Sequence, residues 1–518
     1  MIRRHRRAPP SAQSAISATT SIAELLPPTA QLLVEGGDAR IGLDASSAIN
    51  QYGCPAVPDP DLLAFGSSTA SVISARGHAA ADRLRQHLQA ACAAEEPATL
   101  YANELERVRR ALCDLYGLGD SATTTAPDIV FATSGTDLHL IAGQLAAHGA
   151  SRPPLVVMIE AAETGSQVPA ALRGNHFGNE PAARTSEGEA IDAIALLEIA
   201  AVAVRQPDGL PRPGAEVDAE VESRVACAVA EGRRVLLVVV DVAKSGLLAP
   251  SPACAIALAR RFPDHLDVMI DACQFRIGAA TLRAYLARGF MVAVTGSKFM
   301  TGPTFSGALL LPRAVSARWR ARPLPATLGE YSTRAEWPAG WGVAGLPDYA
   351  NFGLLLRWEA ALAEMRAFCA LPEATVERIL AAFADAVGQR LNGDPRFEAL
   401  PVSPLERHDL VAVPGWDRRQ TIFPFLLRRA DGGYLSAAEV ATVYRGLQQG
   451  AAGVRCQLGQ PLSCGMRDAQ PLAALRLCAS ARLVVDAAQD AAAEAAVIAR
   501  AMQALDQVAA LIGRLPSH

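Results

Sequence analysis

Lysine is almost absent from this chain. Of 48 lysines and arginines in 518 residues, only Lys244 and Lys298 are lysine. Arginine replaces lysine wherever a solvated charge suffices. It cannot do so where an amine must shed its proton and attack a carbonyl, so each retained lysine is a candidate for chemistry. C-x-x-C pairs are also missing. The ten cysteines are scattered, with no ligand-like Cys/His cluster, which argues against a zinc site and a disulfide scaffold and fits a reducing, cytoplasmic compartment. No apolar run reaches the roughly 18 residues of a membrane span. The net charge of -4 leaves no basic footprint for nucleic acid or an anionic membrane. No internal repeat is visible. Residues 1–20 lack acidic side chains and are basic, then rich in Ser, Ala and Thr. That composition cannot bury enough surface to offset ordering, so a disordered tail is expected.

What is present is an ordinary globular balance, 51% hydrophobic and 19% charged, with enough length for two or three structural units. An irregular stretch, N-Q-Y-G-C-P-A-V-P-D-P, precedes F-G-S-S-T-A-S, whose Ser67, Ser68 and Thr69 either line a polar site or cap the next helix. Helices are expected near 76–93, 101–118 and 218–231. Short apolar runs alternate with them: D-I-V-F-A, P-L-V-V-M-I, V-L-L-V-V-V-D, L-D-V-M-I-D and M-V-A-V. This alternation predicts an α/β fold, a mostly parallel central sheet with helices on both faces. After Pro312 a region rich in Arg, Pro, Trp and Gly reads as a long loop and linker. Helices near 350–369 and 373–391, the runs T-I-F-P-F-L-L-R and A-A-L-R-L-C-A-S, and a long alanine-rich helix near 486–513 predict a smaller α+β domain.

In open parallel sheets, ligands sit beyond the carboxyl ends of the strands. Ser134, Ser245, Asp271 and Lys298 all fall there. The turn at Ser134, Gly135 and Thr136 links a strand to an apolar helix. It aims free backbone N–H groups and the positive helix end at one point, which suits a phosphate. Asp271 closes one apolar run. Lys298 follows another, within T-G-S-K-F-M-T-G-P-T, 27 residues on, the length of one strand–helix–strand step.

These motifs resemble those of fold type I pyridoxal-phosphate enzymes, in particular the class V aminotransferases and cysteine desulfurases. The resemblance covers about residues 95–485 and rests on S-G-T at 134–136, D-A-C-Q at 271–274, T-G-S-K at 295–298, G-P-T at 302–304 and L-R-L-C at 475–478. It implies pyridoxal 5'-phosphate held as a Schiff base by Lys298, with Lys244 as the rival. Lys298 would later move the proton at the substrate α-carbon. Asp271 would keep the pyridine nitrogen protonated, and Gln274 would reach the ring hydroxyl. Ser134, Gly135, Thr136, Thr295 and Ser297 would hold the phosphate, with serine at 297 where many relatives have histidine. Arg476, with Arg455 as runner-up, would fork around a substrate carboxylate, and Ser245 would line the substrate side. The implied units are a tail over 1–20, an N-terminal segment over 21–95, a cofactor-binding domain over 96–325 and a small domain over 326–518. The implied assembly is a homodimer, with the loop around Trp341 reaching toward the partner's site.

Two departures stand out. The family stacks a histidine on the cofactor ring just after the strand that ends here at Glu160. This chain reads A-A-E-T-G-S-Q-V-P, leaving Glu163 or Thr164 in that place. His139 and His176 are expected to be structural. The segment V-R-C-Q-L-G-Q-P-L-S-C-G is similar to the loop that carries a desulfurase's nucleophilic cysteine, but neither Cys456 nor Cys464 has the matching spacing. Cys273 is expected to be packed. An aminotransferase acting on an amino acid or amine is therefore the leading expectation. A C–S lyase of the desulfurase kind, and a cofactor-binding protein without turnover, are the alternatives.

Overall fold

The computed structural model describes residues 26–119, 126–178, 188–320, 322–413, 415–467 and 469–515. The tail expected over 1–20 lies outside them. Among the described residues there are thirteen strands: β1 (Leu63–Phe65), β2 (Asp128–Ala132), β3 (Leu155–Ile159), β4 (Glu198–Val202), β5 (Val235–Asp241), β6 (Leu248–Ala249), β7 (Leu266–Ala272), β8 (Met291–Thr295), β9 (Gly307–Leu311), β10 (Phe397–Ala399), β11 (Ile422–Leu427), β12 (Cys456–Arg467) and β13 (Gln470–Cys478). Eight of them form the central sheet in the order β2-β9-β8-β7-β5-β3-β4, with β6 on β5. From β8 to β4 neighbouring strands run parallel, while β9 is antiparallel to both β8 and β2. Strands β2, β3, β5, β7, β8 and β9 are buried at every position. That is why they read as continuous Val/Ile/Leu runs rather than as an alternation. The edge strand β4, which is only partly buried, carries no such run and gave no signal.

The second sheet has the order β1-β12-β13-β11-β10. Here the sequence expectation for one segment is corrected. The stretch resembling a cysteine-bearing loop is strand β12, paired antiparallel with β13. Its register shifts between Gly459 and Leu462 and again between Ser463 and Met466. Such bulges re-aim side chains locally, and they turn Gln460, Pro461 and Leu462 toward the cavity described below. β1, from the N-terminal segment, pairs with β12 in parallel, so residues before 95 help build this sheet.

Helix Phe352–Cys369 links the layers. It packs on helices Ala75–Ala91 and Pro97–Tyr116, burying Leu354, Leu355, Trp358 and Leu362. The region read as a linker over 313–350 is a packed loop, with Trp319, Leu328, Trp337, Trp341 and Leu346 all buried. Trp341 donates to Asp128 at 3.0 Å and packs on Trp337, so its side chain is spent within its own chain. The last helix starts later than expected, at Ala491, where Asp490 caps it. A separate helix, Ala481–Ala487, precedes it. Ala491–Ile512 is apolar and long enough to cross a membrane by length and composition. In this structure it lies on Ala437–Gln449, Glu373–Gly393 and Ala481–Ala487, and Glu494 pairs with Arg378 at 2.7 Å.

Glu336 carries a pH signature. It is buried, accepting from Ser332 Oγ, the Thr333 amide and the Tyr101 hydroxyl. Burial, outweighing those bonds, pushes its carboxyl up from 4.5 to about 7. A group with a raised folded pKa contributes stability that is full below its unfolded value and is lost as pH rises through the folded one. Stability should therefore fall between about pH 4.5 and 7, on the order of a few kcal/mol. Glu336→Gln, which keeps the hydrogen-bonding shape, should flatten that slope in urea titrations run across the range.

Candidate active site

Five carboxyl-end loops of the central sheet meet the second sheet around one cavity of about 160 Å³. β2 delivers Ser134, β3 delivers Glu163 and Thr164, β5 delivers Lys244, β7 carries Asp271 one residue before its end, and β8 delivers Lys298. From the other side come Ser68 and Thr69 after β1, Gln460 on β12 and Arg476 on β13. Of the residues singled out from sequence, Ser134, Gly135, Thr136, Asp271, Gln274, Thr295, Ser297, Lys298 and Arg476 all line this cavity.

At one end, Ser134 caps the helix Gly135–Ala147, and its hydroxyl accepts from the Thr136 and Asp137 amides. Asp137 returns the contact, accepting from Ser134 N at 2.8 Å and from its Oγ at 2.5 Å. Burial, against those bonds and Arg40, pushes the Asp137 carboxyl up to about 6. A Cβ on Gly135 would stand 2.8 Å from Cys273 Sγ, so only glycine lets the helix end approach the turn after Asp271. The sequence reading missed Arg40. Its Nη1 and Nη2 lie 3.3 Å from Thr136 Oγ1 and Ser134 Oγ, its Nε donates to Asp38 at 2.9 Å, and its guanidinium sits 4.7 Å over the Phe305 ring. Burial works against this charge, but Asp38 outweighs it. In a chain with 46 arginines nothing marked this one. What places it is Arg357 on the linking helix, which donates to the carbonyls of Leu33, Glu35 and Gly36 and fixes the turn before Asp38. A helix N-terminus of 13 residues, two hydroxyls and a guanidinium form a cup that fits a phosphate.

Asp271 Oδ1 accepts from the Cys273 amide at 3.1 Å, and Oδ2 lies 3.3 Å from His139 Nε2. The other ring nitrogen of His139 is 2.7 Å from the Gly135 carbonyl. That carbonyl can only accept, so Nδ1 carries a hydrogen, and holding the Asp271 anion requires a second one on Nε2. His139, expected to be structural, buttresses Asp271. Burial alone would raise the Asp271 carboxyl, but His139, with the Cys273 side chain and Lys298, holds it well below the usual carboxylate range. An ionised carboxylate inside the cavity suits a protonated ring nitrogen. Gln274 Nε2 donates to Ser68 O at 2.8 Å, Thr295 Oγ1 donates to Cys273 O at 2.6 Å, and Ser297 Oγ lies 3.4 Å from Thr295 Oγ1.

Lys298 follows β8 on a constrained loop. Ser71 Oγ donates to its carbonyl at 2.8 Å, and Gly302 N closes onto Gly296 O at 2.8 Å. A Cβ on Gly302 would stand 2.6 Å from that of Ala361 on the linking helix. Thr301 and Phe305 adopt positive φ, at 56° and 75°, the kind of backbone strain that surrounding structure must hold in place. Burial lowers the Lys298 amine's pKa, helped by Arg476 and Arg276, which favours the nucleophilic form.

On the opposite wall, Glu163 is buried. It accepts from Arg205 Nε at 2.8 Å, Ser245 N at 3.0 Å and Ser245 Oγ at 2.6 Å. This corrects Ser245. Fully buried, it does not reach the cavity, and its hydroxyl anchors Glu163 instead. Of the two candidates for the stacking place, Glu163 and Thr164 both line the cavity, but the Glu163 carboxylate is already committed. Arg476 donates to Lys244 O, Thr69 Oγ1 and Gln460 O at 3.1, 3.2 and 2.6 Å. Arg455, the runner-up, pairs with Asp59 on the surface. Ser67 donates to Ala479 O, whereas Ser68 and Thr69 line the cavity. His176 lies 2.6 Å from the Tyr331 hydroxyl, outside the cavity lining. Cys456 and Cys464 are buried away from it, their thiols pushed up by burial to about 12 and about 11. Cys273 lines it, but burial and Asp271 push its thiol far up.

No protein-family model and no curated protein sequence matches the chain. Solved structures do match in shape. A NifS-like protein from Rickettsia africae superposes with a TM-score of 0.50 at 12% identity, over 86% of this chain and 99% of its own. The cystine C–S lyase C-DES, in complex with its reaction product cysteine persulfide, gives 0.51 at 14%, over 85% and 97%. A mutant of C-DES with glycine covalently linked to the PLP cofactor gives 0.51 at 15%, over 86% and 99%. At these identities the likeness defines the fold, which is that of the fold type I enzymes the motifs resemble.

Proposed function

We propose that this chain is a pyridoxal-phosphate-dependent aminotransferase acting on an amino acid or amine. The observation that carries it is the gathering, in one cavity, of a half-buried lysine, an ionised buried carboxylate and a phosphate-shaped helix end. The three lie on separate loops, as the cofactor's aldehyde, ring nitrogen and phosphate require. When bound, the cofactor supplies an electron sink for the bond pair at the substrate α-carbon. The chain's own residues do the rest. Ser134, Thr136 and Arg40 hold the phosphate. Asp271, backed by His139, holds a proton on the ring nitrogen. Arg476 orients the substrate carboxylate through its uncommitted N–H groups. Lys298 Nζ, lining the same cavity, would take the proton from the substrate α-carbon as general base and, once protonated, would serve as general acid.

The fold neighbours include a C–S lyase, so lyase chemistry is the second reading. A version in which Cys456 or Cys464 accepts sulfur is disfavoured by their burial away from the cavity. A cytoplasmic homodimer remains the proposed setting. The experiment is a spectrophotometric panel. Purified protein loaded with pyridoxal phosphate is mixed with single amino acids and amines, and the cofactor is extracted. Accumulated pyridoxamine phosphate supports transamination. Alanine from cysteine, with its sulfur released as sulfide by an added thiol reductant, and no pyridoxamine phosphate from any amine, would replace that reading with the lyase. An unchanged spectrum throughout would leave a binding protein without turnover.

A further inference from the structure

The chain's two lysines line the same cavity, and the proposed function uses only one. Lys244 sits on the loop after β5. Its backbone is fully occupied: its amide donates to Glu163 O at 2.9 Å and its carbonyl accepts from Arg476 Nη1 at 3.1 Å. Among the described residues its ammonium has no hydrogen bond or ion pair. The obvious local counter-ion, Glu163, is taken by Arg205 and Ser245. Beside Lys244, Arg476 is buried and bonded only to neutral oxygens, which spend three of its five N–H groups. The same wall holds the Ser68 hydroxyl, 1% exposed and without a hydrogen-bond partner among the described residues. Burial, together with Arg476 and Lys298, brings the Lys244 ammonium down to about 8, with Glu163 acting the other way. It is therefore a cation at neutral pH.

A half-buried cation beside a buried one, with no anion to pair them, is costly unless a ligand supplies the charge. The phosphate cannot serve both ends, because its cup is built from Ser134, Thr136 and Arg40, none of which contacts Arg476. One carboxylate satisfies one of the two cations. We infer that Lys244 and Arg476 together select a substrate with two anionic groups, an amino acid whose side chain carries a second carboxylate or an isosteric acid. Arg476 takes one group and Lys244 Nζ the other, while Ser68 donates to either. This rests on the proposed cofactor-dependent reading and narrows its substrate class.

The test uses protein loaded with pyridoxal phosphate and two non-reacting probes, glutarate and butyrate, titrated by calorimetry. Glutarate should bind at least about ten-fold more tightly than butyrate. In Lys244→Met the glutarate affinity should fall by at least about ten-fold while butyrate is unchanged, and Lys244→Arg should recover part of the loss. Because the Lys244 ammonium supports nothing in the fold, these variants should unfold at the wild-type urea midpoint. Equal affinity for the two probes overturns the inference, as does an equal loss for both in Lys244→Met. Neither result is confused with failure of the underlying reading, which shows itself earlier, as protein that takes up no cofactor at Lys298.

Discussion

Lys298→Ala, mixed with pyridoxal phosphate and reduced with borohydride, should carry no covalent cofactor, where the wild-type protein gains the mass of one. The chain has only two lysines. Apart from the terminal amine, any adduct must lie on Lys298 or Lys244, so peptide mapping gives a two-way answer. Lys298 is favoured because its loop is fixed on three sides, by Ser71, by the Gly296–Gly302 closure and by Ala361, and because burial holds its amine below its usual value. Lys244 faces the cavity from the loop that also positions Glu163. Turnover in Lys298→Ala should fall by roughly 10²–10⁴-fold, the range for loss of a positioned general base, even with cofactor held by the phosphate cup. An adduct of wild-type stoichiometry in this variant would move the assignment to Lys244 and dissolve both proposals.

Much of this site was legible because its parts sit at strand ends. A buried parallel strand reads as an apolar run, and the polar residues just after it mark the carboxyl end. Ser134, Asp271 and Lys298 were placed that way, and all three line the cavity. Ser245 obeyed the same rule and was misplaced. The rule finds the loop but not which way each side chain points, and here the loop turns Lys244 inward and Ser245 back onto Glu163. Arg40 was invisible for a different reason. Its position depends on Arg357, more than 300 residues away, gathering the carbonyls before Asp38, a tertiary fact with no local pattern. The β12 strand was read as a loop from its likeness to a cysteine-bearing loop, and Gly459, Pro461 and Gly465 break the alternation that would have marked a strand. Those breaks are the register shifts that bring Gln460 to the cavity.

Asp271→Asn should bind pyridoxal phosphate and form the Lys298 adduct, yet lose turnover by about 10²–10³-fold, the scale for removing one electrostatic partner from a closed site. The substitution keeps the shape and removes the charge. In the native protein the Cys273 amide lies at 3.1 Å and His139 Nε2 at 3.3 Å, and His139, with the Cys273 side chain and Lys298, outweighs burial. The amide oxygen can still accept from the Cys273 amide, and the amide nitrogen, in the place of Oδ2, can donate to His139 Nε2, so the local fold should hold. What is lost is the anion that keeps a proton on the ring nitrogen. Lys298 attack on the cofactor aldehyde does not need that anion, whereas drawing electrons from the substrate α-carbon does. The signature is therefore a split between adduct formation near the wild-type rate and slow single-turnover consumption of amino acid. A paired change in both would assign Asp271 to folding alone. His139→Gln should show the same split to a smaller degree, since it removes the buttress and leaves the carboxylate in place.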